Sequence, residues 1–143
     1  MSNFRRVVIG LMFLVGQSLP NVQAANLTQD EWDQVCFNVM AVHNQISKYL
    51  ADHEGDQVPV ESGQLERWRD QVAETQGILA RSEGNSTLCA TLLPILAQTK
   101  SGLERMLAYA WEGKLDWGIF KNIIRPMQDR LFDSTQSFHL PIS

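Results

Sequence analysis

Three histidines, two cysteines and a run of alternating acids are the side chains here with the chemistry to hold a metal, carry a nucleophile or move a proton. Asp52, Glu54 and Asp56 alternate as at the start of a calcium loop. The match then fails, because glycine stands at the fourth position, Gly55, rather than the sixth, and Gly63 takes the place of the bidentate glutamate. His43 sits on an apolar stripe, where a ring hydrogen-bonded inside the core is the expectation. His53 and His139 have no ligand partners at helical spacing, and no Cys-x-x-Cys-His haem attachment is present. Met40 and His43 share one helix, so they cannot ligate opposite faces of a porphyrin. A carboxylate pair for glycoside hydrolysis must face across a cleft, whereas most of these acids fall at helix ends or on polar faces. No serine sits in a nucleophile elbow. The expectation is a non-enzyme with no metal and no cofactor.

The cysteines, Cys36 and Cys89, are an even pair, and their meaning depends on compartment. Arg5 and Arg6 followed by the apolar run Val7 to Val15 read as a secretory signal peptide, too short to span a bilayer. Pro20 breaks it, and Val22, Gln23 and Ala24 suit a signal peptidase, which places cleavage after Ala24. No cysteine follows the cut to carry a lipid. Export to the periplasm is expected, or secretion where the host lacks an outer membrane. In that oxidising setting Cys36 and Cys89 are expected to form one disulfide, and closing so long a loop would contribute about 4 kcal/mol.

Cleavage leaves residues 25–143 as a single helical domain, large enough for a modest core. The leader takes two of the twelve basic residues and none of the sixteen acidic ones, so the net charge falls from −4 to −6. Nucleic acid, which needs a basic face, is not an expected partner. The acidity is concentrated in residues 25–66, which hold eight acids and only Lys48 as a base. It reads either as a solvated face or as a surface for a basic protein. The triplets opening at Asn26 and Asn85 are explained by the caps Thr28 and Ser86 outside a eukaryotic pathway.

Hydrophobic periodicity predicts four helices, at about 29–53, 63–83, 87–112 and 117–136. Thr28 and Glu31 form a capping box for the first, whose stripe runs through Trp32, Val35, Cys36, Val39, Met40, His43, Ile46 and Leu50 to a stop at Gly55. Ser62 is the expected cap of the second, which Thr75 and Gly77 weaken and which should be the most exposed. Ser86 or Thr87 caps the third, and Gly113 ends it. Asp116 caps the fourth, with Trp117, Phe120, Ile123, Ile124, Met127, Leu131 and Phe132 inward. Pro94 and Pro126 predict kinks in helices three and four. The class is all-α, an up-down four-helix bundle. Since bridged cysteines need Cα atoms within about 7 Å, helices one and three should touch, and the bundle should be skewed.

Alternating helix directions put the connections at 55–62 and 113–116 at the end away from the disulfide. There Asp52, Glu54, Asp56 and Glu61 should meet Trp111, Leu115 and Trp117. Aromatics ringed by charge are how protein interfaces often look; the alternative is that Trp111 and Trp117 plug the core across Gly113. The function this suggests is a periplasmic binding protein of the inhibitor or immunity type, occluding a basic, cell-wall-active toxin or hydrolase. The alternative is a periplasmic chaperone or assembly factor that shields apolar client surfaces. No stable membrane anchor is expected after processing, and a homodimer is compatible with either reading.

Overall fold

A computed structural model describes residues 27–81 and 87–136, which form α1 Gln29–His53, α2 Ser62–Ala80, α3 Thr87–Trp111 and α4 Trp117–Gln136. The expected leader with its cut after Ala24, the turn residues Gly84 to Ser86, and the terminal segment with His139 lie outside the described residues. All four helices are present and none of the described residues is in a strand.

The reciprocal cap opens α1 as expected: the Glu31 backbone N–H donates to Thr28 Oγ1 at 3.1 Å, and the Thr28 N–H donates to Glu31 Oε1 at 2.9 Å. The helix ends differently from the reading of Gly55. The left-handed residue is Gln57, at φ 57°, whose N–H donates to the His53 carbonyl at 2.7 Å. Glu61, not Ser62, occupies the N-cap of α2, and it makes no side-chain capping bond. Gly113, at φ 71°, ends α3 in a Schellman arrangement, with Lys114 N–H on the Tyr109 carbonyl and Gly113 N–H on that of Ala110. Asp116 then caps α4 by accepting the Ile119 N–H at 2.8 Å.

Pro94 and Pro126 each lie inside one uninterrupted helix, and the kinks expected of them are not supported. The carbonyls that lose their donors belong to Ala90 and Asn122, both exposed residues that water can reach. Against a cost of about 3 kcal/mol for an interior proline, α3 alone fully buries Leu92, Leu96, Leu103, Met106 and Leu107. Each such burial contributes about 1.5–3 kcal/mol, so packing holds the helix through the proline.

Each helix packs on its chain neighbours, and α4 closes the ring against α1. Directions alternate: Arg81 meets Glu31, Asn38 meets Thr75 and Gln45 meets Trp68 between α1 and α2, while Glu54 meets Lys121 and Ser47 meets Gln128 between α1 and α4. The helical bundle is thus present, but its expected skew is not supported, and neither is the disulfide. Cys36 and Cys89 are not joined. The ring sets α1 and α3 across the bundle from each other. Cys36 also stands two turns before His43, on the side of α1 that faces α4, while Cys89 is buried on α3.

The core corrects two further expectations. Thr75 does not leave α2 exposed; it is buried, and α2 supplies Trp68, the largest fully buried side chain. On α1 the inward line is Trp32, Val35, Val39, Val42, Ile46 and Leu50, with Cys36 and His43 half-buried at its edge and Met40 exposed. Gly102 lets α4 approach α3: a Cβ there would overlap the terminal methyl of Met127 and stand 3.4 Å from Ile123.

Candidate functional site

Tyr49 organises the end of the bundle where the α1–α2 and α3–α4 connections lie. Its hydroxyl donates to the Val58 carbonyl at 2.7 Å and straps the loop down. Its ring stacks on His53 with centroids 4.1 Å apart and meets Phe120 of α4 edge-on at 5.7 Å. Phe120 in turn packs on Trp117 at 5.4 Å. Burial, followed by the charges of Asp56 and Glu61, raises the Tyr49 phenol above its ordinary value. The Lys121 ammonium reaches Glu54 at 3.5 Å, which brings the two connections together at one pole.

The acids of this pole are exposed, yet three of them already have partners. Asp52 pairs with Lys48 at 2.7 Å, Glu54 with Lys121, and Asp56 with His53 at 3.1 Å. Glu61 caps α2 through its backbone alone. Asp56 also accepts the Val58 N–H at 3.1 Å, and that bond, ahead of His53, holds its carboxyl below the usual range. Surface pairs of this kind contribute little to stability, about 0–1 kcal/mol, so they order the loop without removing its carboxylates from water. Asp52, Glu54 and Asp56 each turn to a different nitrogen-bearing side chain, Lys48, Lys121 and His53, rather than converging. Among the described residues no group of three His, Cys, Asp or Glu side chains is placed to hold a metal ion.

The aromatics separate. Trp117 is only 8% exposed and packs in the core, where its indole Nε1 finds no hydrogen-bond partner; it plugs the pole. Leu115 is half-buried against the same core. Trp111 is 62% exposed on the last residue of α3. Of the two tryptophans, then, one closes the core and the other faces solvent.

No family model, curated protein or solved structure matches this chain. None of the described helices is long and apolar enough to cross a membrane.

A second surface was not foreseen. Phe37, Met40 and Phe132 are 66%, 42% and 50% exposed. Phe37, Met40 and His43 follow one another at three-residue spacing on α1, and the His43 ring meets Phe132 at 5.7 Å. His43 is therefore a rim residue between α1 and α4, bonded to Asn44 Oδ1 at 3.2 Å, and not a core histidine. The signal available in the sequence was Phe37, an aromatic lying off the apolar stripe.

Proposed function

We propose that this protein is a small exported binding protein of the inhibitor or immunity type, which occludes the active site of a toxin or hydrolase directed at the cell envelope. The observation that carries the reading is the Trp111 indole, 62% exposed at the same end of the bundle as the exposed carboxylates of Asp52, Glu54 and Asp56. An exposed tryptophan is the side chain most often found to dominate a protein interface. Carboxylates at that end would steer a basic partner and mimic the anionic polymers that such enzymes approach. The leader-like residues 1–24 support export to the periplasm. Affinity capture from periplasmic extract and from toxin-encoding neighbours, followed by inhibition and stoichiometry measurements on the captured enzyme, tests the reading. Trp111→Ala should weaken the complex by about 2 kcal/mol or more, and reversing charge at Asp52, Glu54 and Asp56 should slow association. Binding that survives both changes removes this pole from consideration.

The exposed row Phe37, Met40 and Phe132 favours a second reading, a chaperone or assembly factor that shields apolar client surfaces. Phe37→Ser with Phe132→Ser should then abolish client protection while Trp111→Ala leaves it intact.

A further inference from the structure

Between α1, α2 and the connection that joins them lies an open groove in two lobes, with cavity volumes of about 270 and 320 Å³, that share Tyr49 and Gln64. Trp68 forms part of the lining of the first lobe and is itself only 1% exposed. Its indole N–H can only donate, and it donates to Gln45 Oε1 at 2.8 Å. That bond fixes the amide orientation and leaves the Gln45 NH₂ as the group free to serve a ligand. Arg67 does the same for Gln64, donating to its Oε1 at 3.0 Å. Two side-chain amides on facing helices are thus held with their oxygens engaged and their donors available, while Asp52 and Glu61 place acceptors at the two lobes.

We propose that this groove binds a neutral oligosaccharide, whose hydroxyl and acetamido oxygens accept from Gln45 and Gln64 and whose hydroxyls donate to the flanking carboxylates. The alternatives fit worse. Lys48 and Arg67 line the lobes beside Asp52 and Glu61, so the walls carry no excess of either charge to hold an ion. Trp68 is almost wholly covered, and the exposed apolar lining is confined to Tyr49 with Val58 and Pro59 of the second lobe, a surface for one face of a sugar ring rather than for a wholly apolar ligand. A peptide strand needs an unpaired backbone edge; the first lobe has helices on both sides, and in the 58–61 connection that walls the second the Val58 N–H and carbonyl are already bonded and Pro59 has no N–H. Hydroxyl groups, which donate and accept at once, match walls that offer donors and acceptors side by side. Each lobe lies near the low end of the range for small-ligand sites, about 300–1,000 Å³, and two open lobes in line suit a chain of linked rings. This site lies along the bundle and is separate from Trp111, with Asp52 at the border of both surfaces.

The test is a titration of the ¹⁵N-labelled full chain with the N-acetylglucosamine trimer, followed by NMR. The Trp68 indole resonance and the Gln45 and Gln64 side-chain amides should move together and saturate. Gln45→Glu keeps an oxygen for Trp68 and removes the donor, and Gln64→Ala touches only exposed Arg67; each should weaken binding about fivefold to tenfold with an unchanged unfolding midpoint. Unmoved resonances, saturation by an acetylated peptide in place of the glycan, or an affinity in both variants equal to that of the parent chain overturns the proposal.

Discussion

Asn38 on α1 and Thr75 on α2, both buried, are joined by a 3.0 Å hydrogen bond from the Asn38 amide to the Thr75 hydroxyl. Thr75 passes its own proton to the Gln71 carbonyl at 2.8 Å, and Asn38 Oδ1 accepts from Gln34 at 2.7 Å. The pair sets the register of the α1–α2 contact, because sliding either helix would strand a buried amide. Thr75→Val keeps the shape and removes the acceptor, so it should destabilise the protein by about 1–3 kcal/mol in denaturant unfolding. Adding Asn38→Leu should recover part of the loss; strictly additive losses would mean that the two residues are not coupled.

Gly102 controls how closely α3 and α4 approach. Gly102→Leu forces a side chain into the space of Met127 and Ile123 and should cost about 1–3 kcal/mol. Met127→Ala in the same chain vacates that space. Thermal melts should show the double variant above Gly102→Leu alone, and the idea fails if it melts lower.

Gln57 carries a side chain in the left-handed region, where glycine alone sits without strain. Gln57→Gly should raise stability by about 0.5–1 kcal/mol, whereas Gln57→Val should lower it. Gly113→Ala, at the other left-handed position, should destabilise by a similar amount. Urea midpoints for the three variants decide the matter.

Acid should unfold the protein partly through Glu31 and Asp56. The Thr28 backbone N–H holds Glu31 below its ordinary 4.5, and the Val58 N–H holds Asp56 below 3.8. The unfolded chain therefore takes up these protons at higher pH than the folded one. Their stabilisation is complete above the ordinary values and disappears as pH falls through the lowered ones. Glu31→Gln should flatten the stability profile between about pH 5 and 2, and an unaltered profile would count against the assignment.

Reducing agent should leave the melting temperature unchanged, since Cys36 and Cys89 are not joined. Burial, with a smaller contribution from Asp33, raises the Cys36 thiol, so alkylation at neutral pH should be slower than for a model thiol. A reductant-dependent melt would instead demand that α1 and α3 approach within bonding distance.

The helices and several of their ends were legible in the residues, because capping and periodicity act within a few positions: Thr28 with Glu31, Asp116 and Gly113 each perform the expected role. The residues that went astray stand at the margins of stripes. A helix turns by 100° per residue, so apolar spacing names a face without saying where that face stops; Cys36 and Met40 fall just outside it, and Phe132 does the same on α4. Partners distant in the chain were equally unreadable. Nothing local links Asn38 to Thr75 or shows that Gly102 admits Met127, and nothing local makes Trp117 a plug while Trp111 faces water. Those assignments depend on which helices become neighbours, and the ring of four placed α1 beside α2 and α4 but across from α3. Backbone geometry and the nearest side chains decide a helix and its cap, whereas burial is decided by whatever the other helices bring to each face.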